Sequence, residues 1–119
     1  MTIECIERSD GTWEWWQNGQ RHRPDGPAYI GADGSKSWWQ NGRLHRPDGP
    51  AIEWADGSKE WWQNGQRHRP DGPAYIGADG SKSWWIDGKN YSLKEWCALT
   101  GKTKQETVEL LLTESSDDY

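Results

Sequence analysis

Short runs of aromatic and β-branched residues alternate along most of the chain with clusters of glycine, proline, asparagine and aspartate, and helical spacing enters only after Gly88. Trp15-Trp16-Gln17 and Pro27-Ala28-Tyr29-Ile30 are runs of strand length and strand composition. Asn18-Gly19, Asn41-Gly42, Asn64-Gly65 and the variant Asp87-Gly88 each follow an aromatic pair. Asn-Gly supplies the two positive φ values of a tight type I′ turn. Asp33-Gly34, Asp56-Gly57 and Asp79-Gly80 are read as doing the same between units. The pattern predicts one β-hairpin per unit.

The unit is WWQNGQRHRPDGPAYIGADGSKS, from Trp15 to Ser37; it returns at Trp38, at Trp61 and in part at Trp84, a period of 23 residues. A fixed period in this range marks an array of one supersecondary unit. The segment HRPDGPA (His22 to Ala28, His45 to Ala51, His68 to Ala74) contains two prolines that lack a backbone donor. It is expected to form a kink or bulge, with Asp25-Gly26 bending the chain and Pro27 beginning the return strand. The predicted fold is mainly β: a single-layer antiparallel meander of 23-residue β-hairpin repeats with a short C-terminal α-helical cap.

Neighbouring residues in a strand face opposite ways, so Trp15, Trp38, Trp61 and Trp84 should form one column and Trp16, Trp39, Trp62 and Trp85 another. One column is expected to be core; the other is either covered by the C-terminal segment or left as an aromatic strip. A mean hydropathy of −1.16 would suit a disordered chain. Eleven tryptophans answer it, because each buried indole removes about 150–250 Å² from water. Stacked repeats bury surface mainly against their neighbours.

The ends read differently. Residues 1–10 alternate at period two around Ile3 and Cys5 and suit an edge strand; no apolar stretch resembles a signal peptide or membrane span, and the expected location is a cytoplasm. Cys5 and Cys97 are expected to be reduced thiols in apolar surroundings, without zinc spacing. The repeat array occupies 11–90 and the cap 91–113, followed by an acidic tail at 114–119. Ser92 with Glu95 and Thr103 with Glu106 form capping boxes, and Gly101 stands at a helix C′ position, predicting helices from about Leu93 to Thr100 and Lys104 to Thr113. Leu93, Trp96 and Cys97 share one face of the first, and Val108, Leu111 and Leu112 one face of the second. Glu106, Glu109 and the acidic tail argue against DNA binding by this pair. Its expected place is the open end of the sheet, where an uncapped array leaves room for self-association.

The recurring His22, His45 and His68, each with Asp25, Asp48 or Asp71 three residues on, could suggest catalysis or a metal site. An active site is one asymmetric constellation, whereas these residues occur three times with no nucleophile or phosphate loop beside them. They are read as structural, a hydrogen-bonded ladder holding each bend, and the chain as a non-enzyme without cofactor or metal. Residues 15–39 and 61–85 are identical, which implies recent duplication or deliberate construction. The unit between them differs at Arg43, Leu44, Ile52, Glu53, Trp54 and Glu60. Glu53, Trp54, Arg43, Trp39 and Trp62 are the candidate partner-binding residues.

W-x-N-G-x-x-H, a glycine-containing return strand and A-D-G-S at this period resemble the membrane occupation and recognition nexus (MORN) repeat, and more closely the MORN-like repeats with an HRxDGPA core of small bacterial and bacteriophage proteins. The resemblance spans about Asp10 to Gly88 and implies consecutive hairpins with a binding or scaffolding role. Arg23, Arg46 and Arg69 stand where the usual repeat has glycine after its histidine, and a net charge of −5 disfavours docking on an anionic membrane. Choline- and glucan-binding repeats share the paired aromatics and DGS turns but require secretion. The expected function is a non-enzymatic protein-binding module whose partner is a host intracellular protein, sharpened by the phage-borne resemblance to a phage or prophage inhibitor of a host defence protein. A carbohydrate- or choline-binding aromatic platform and a purely structural scaffold are the alternatives.

Overall fold

The computed structural model describes residues 2–108. β1 (Glu4–Glu7) stands at the edge and pairs antiparallel with β2 (Trp13–Gln17), placing Cys5 opposite Trp15. Very short strands follow: β3 (Gln20–Arg21), β4 (Tyr29–Ile30), β5 (Lys36–Ser37), β6 (Trp39–Gln40), β7 (Arg43–Leu44), β8 (Ile52–Glu53), β9 (Lys59–Glu60), β10 (Trp62–Gln63), β11 (Gln66–Arg67) and β12 (Tyr75–Ile76). β13 (Lys82–Ile86) and β14 (Lys89–Tyr91) close the sheet, and α1 (Leu93–Thr100) follows. The main sheet runs β1-β2-β4-β5-β8-β9-β12-β13-β14; β3 branches from β2, and β6-β7 and β10-β11 are separate ribbons. This is an antiparallel meander of hairpins with a helix after its last strand, as the sequence predicts.

Each unit pairs more elaborately than one hairpin. The second half of β2 pairs with β3 across the Asn-Gly turn, Trp16 opposite Arg21, while its first half pairs with β4, Glu14 opposite Tyr29. HRPDGPA is the arch that carries the chain between these partners. Its last residue sits between β2 and β5: Ala28 accepts from the Trp15 N–H at 2.8 Å and donates to the Ser37 carbonyl at 2.9 Å. Ala28, Ala51 and Ala74 are fully buried there. The return strand therefore begins at Tyr29, two residues after the predicted Pro27.

The two kinds of turn also differ. Asn18 and Gly19 both have positive φ, 53° and 73°, and the same holds in the three equivalent turns, as type I′ geometry requires. In the Asp-Gly turns only the glycine does, Gly34 at 92°, Gly57 at 96° and Gly80 at 88°. There the Gly34 N–H bonds to the Gly31 carbonyl and the Gly31 N–H to the Ser35 carbonyl, which makes a longer turn with a bulge. Asp33 keeps negative φ because its Oδ1 is engaged, accepting from the Ser35 N–H at 3.0 Å and hydroxyl at 2.7 Å.

Arginine covers the first tryptophan column. The guanidinium carbons of Arg23, Arg46 and Arg69 lie 4.0, 3.9 and 3.8 Å from the ring centroids of Trp15, Trp38 and Trp61. Each arginine also donates to a carbonyl of its own arch, that of Pro27, Pro50 or Pro73, at 3.0–3.1 Å. The arch is thus folded down on the indole by a stacked cation whose donors it satisfies. At the fourth ring Trp96 of α1 takes this place, 4.8 Å from Trp84 between centroids. Its indole N–H donates to the Arg69 carbonyl at 3.2 Å, as the Gln40 and Gln63 amides do to the Arg23 and Arg46 carbonyls. Trp84, Trp96 and Cys97 form the buried cluster, with Ile86, Tyr91 and Leu93 packed on it.

α1 has the predicted bounds, with the reciprocal Ser92–Glu95 capping box and Gly101 at φ 77°. Residues 104–108 are helical, with the Thr103–Glu106 box formed, and Val108 is about half exposed. Leu111, Leu112 and the acidic tail lie outside the described residues. Cys97 is buried 3.8 Å from the Thr107 hydroxyl, but Cys5 is exposed on the edge strand, contrary to the apolar surroundings expected of it. Among the described residues no helix is long and apolar enough to cross a membrane.

Candidate partner-binding surface

The repeated polar residues bind one unit to the next. His22 Nδ1 accepts the backbone N–H of Asn41 at 3.0 Å, His45 that of Asn64 at 3.1 Å, and His68 that of Asp87 at 3.0 Å. Each imidazole therefore secures the Asn-Gly turn of the following unit, not the bend beside it. Asp25, Asp48 and Asp71 pair instead with Arg23, Arg46 and Arg69, at 3.4, 3.3 and 3.0 Å. The aspartates are exposed on the arches, so these pairs orient the arginine more than they stabilise the fold. Among the described residues no three His, Cys, Asp or Glu side chains are grouped as metal ligands.

The opposite face carries the second column, with each indole N–H anchored two residues back. Trp16 and Trp62 donate to Glu14 and Glu60, Trp39 and Trp85 to Ser37 and Ser83, all at 2.8–3.0 Å. Arg21 lies between rings, its guanidinium carbon 5.4 Å from both Trp16 and Trp39 and 5.0 Å from Tyr29. Arg67 repeats this with Trp62, Trp85 and Tyr75. In the middle unit the corresponding place, opposite Trp39, belongs to Leu44. Glu14 is held below the usual carboxylate range, chiefly by its hydrogen bond from Arg8 and despite its burial.

Leu44 opens a groove of about 360 Å³ lined by Arg21, Tyr29, Trp39, Leu44, Ile52 and Trp54, among others. Trp54 forms its rim and is 46% exposed, its indole N–H held by Glu60 at 2.6 Å. Of the predicted partner-binding residues, Trp39 and Trp54 meet in this groove, and Trp62 is the next ring on the same face, tied to the Glu60 that holds Trp54. Glu53 and Arg43 are not part of it. Glu53 bonds to Arg46 at 3.4 Å, on the face of the first column, and Arg43 stands opposite Gln40 in a hollow with Pro24, His45 and Pro47. The five residues therefore divide between two faces.

Sequence reasoning missed Arg21, Tyr29, Leu44 and Ile52 as lining and Glu60 as a support. The signal was present: four of the six positions where the middle unit departs from its neighbours, Leu44, Ile52, Trp54 and Glu60, build this one place. Strand alternation alone separates Glu53 from Trp54. Comparison of the chain with known protein families, with curated proteins and with solved structures found no match.

Proposed function

We propose that the protein is a non-enzymatic protein-binding repeat module and that its partner docks on the Trp39–Trp54 groove. The observation that carries this reading is the convergence of the middle unit's substitutions: leucine for arginine, isoleucine for tyrosine and tryptophan for glycine all open or wall one groove. An array built only to stack needs no such departure, and an apolar groove rimmed by a half-exposed tryptophan is the usual anatomy of an interface anchor. The histidine ladder supports a structural role for His22, His45 and His68, because each Nδ1 is engaged with backbone. The MORN-like pattern favours a binding role, and its resemblance to the HRxDGPA repeats of phage-borne proteins directs the proposal to an inhibitor of a host defence protein in the host cytoplasm.

Affinity purification from host lysate with the intact chain and with Trp54→Ala tests the reading. A partner retained by the first and weakened by the second, by about 2 kcal/mol or more, supports it. Equal capture by both places the site elsewhere, and selective binding on a glycan array favours the aromatic-platform alternative.

A further inference from the structure

Two arginines of identical local sequence have different partners. Glu60 Oε1 accepts from both Nε and Nη2 of Arg67, at 3.2 and 2.9 Å. The corresponding Glu14 is taken by Arg8, whose Nε and Nη2 reach it at 2.9 and 3.4 Å, so that Arg21 Nη2 lies 3.7 Å from Glu14. Arg21 Nε is left buried with no hydrogen-bond partner. A buried, unpaired donor on a cation is costly, and in a well-packed protein it calls for an explanation. Arg21 also lines the groove just described, with 29% of its side chain exposed. The groove's carboxylate, Asp33, is engaged at Oδ1 by Ser35.

Building on the protein-binding reading, we infer that Arg21 is the recognition group of this groove and takes a carboxylate side chain of the partner, presented beside an aliphatic residue that packs on Leu44, Ile52 and Trp54. The carboxylate would meet the exposed part of the Arg21 guanidinium and give it the close ion pair that Glu60 gives Arg67. Trp16, Trp39 and Tyr29 hold the guanidinium in place, so little side-chain freedom is lost when the pair forms. The groove thereby selects an acidic-aliphatic segment, although the chain as a whole carries a net charge of −5. Charge matching is local to the groove, where Lys36 is a second cation beside Arg21.

The test is a nitrogen-15 NMR titration of the full chain that follows the arginine Nε–H and tryptophan indole N–H signals. The probes are two terminally blocked pentapeptides, Gly-Leu-Glu-Leu-Gly and its glutamine counterpart. The glutamate peptide should shift the Arg21, Trp39 and Trp54 signals, and the glutamine peptide should bind about tenfold more weakly, the difference between a charge-assisted and a neutral hydrogen bond. Arg21→Gln should abolish the preference, while Arg67→Gln leaves it intact. Arg8→Ala touches no groove residue, yet by releasing Glu14 to pair with Arg21 it should weaken the glutamate peptide. Equal binding of the two peptides, no binding of either, or shifts confined to Trp15 and Trp38 would overturn the inference. If the lysate partner depends on Trp54 but not on Arg21, this inference fails while the protein-binding reading stands; if the peptide preference appears without any Trp54-dependent partner, the reverse holds.

Discussion

Trp96 rests on Trp84 in the position that Arg23, Arg46 and Arg69 occupy on the three preceding rings. It also donates to the Arg69 carbonyl, which in an uninterrupted array would receive the next glutamine amide. A single helical side chain thus supplies two contacts that the fourth unit would make if it were complete. Trp96→Ala should cost about 3–5 kcal/mol, the range for deleting a buried large aromatic, measured by denaturant unfolding. Truncation before Ser92 uncovers Trp84 and the last strands; sedimentation should then show self-association of a chain that keeps its β circular dichroism.

Arg46 combines stacking on Trp38 with a hydrogen bond to the Pro50 carbonyl. Lysine retains the charge but neither the flat face nor the fork. Arg46→Lys should therefore destabilise the chain by about 1–2 kcal/mol in equilibrium unfolding, with little dependence on salt, since desolvated stacking contributes more than exposed ion pairing.

His45 acts as an acceptor toward the Asn64 N–H. His45→Ala should lower stability by about 1 kcal/mol, the usual net value of one hydrogen bond, and amide exchange at Asn64 should accelerate. His45→Asn offers a carbonyl near the same place and should recover part of the loss. Elemental analysis should find no stoichiometric zinc in either variant or in the parent chain.

The Asp-Gly turns predict an acid limb. Hydrogen bonds from the Ser35, Ser58 and Ser81 backbone hold Asp33, Asp56 and Asp79 below the ordinary aspartate value. A carboxylate lowered in the folded state contributes stability above its unfolded value and loses that contribution as pH falls through the folded one. The loss should fall below about pH 4. Changing all three to asparagine keeps a carbonyl acceptor without titration, so thermal melts of the triple variant should vary less over this range than those of the parent.

The parts of the fold written in local chemistry were legible beforehand. Asn18-Gly19 demands two positive φ values whatever surrounds it, and Ser92 with Glu95 closes a capping box within one turn. The arch was less so, because Arg23 meets Trp15 only after eight residues have folded back, and a stacked arginine has no sequence signature apart from its ring. Strand pairing was hidden for a related reason: Tyr29-Ile30 is too short to specify its partners, and the Ala28 hydrogen bonds on either side fix them. The groove was half visible. Trp54 announced itself by replacing a glycine, but the unsatisfied Nε of Arg21 depends on Arg8, which lies outside the repeat.

The histidine ladder gives the array a direction. Each unit holds out an acceptor, and the following turn, nineteen residues further along, brings the donor. A chain leaving the ribosome presents the acceptor of each pair before its donor, so the bond that joins two units can close only once the later one has emerged. At Trp84 this succession ends, because Trp96 covers that ring.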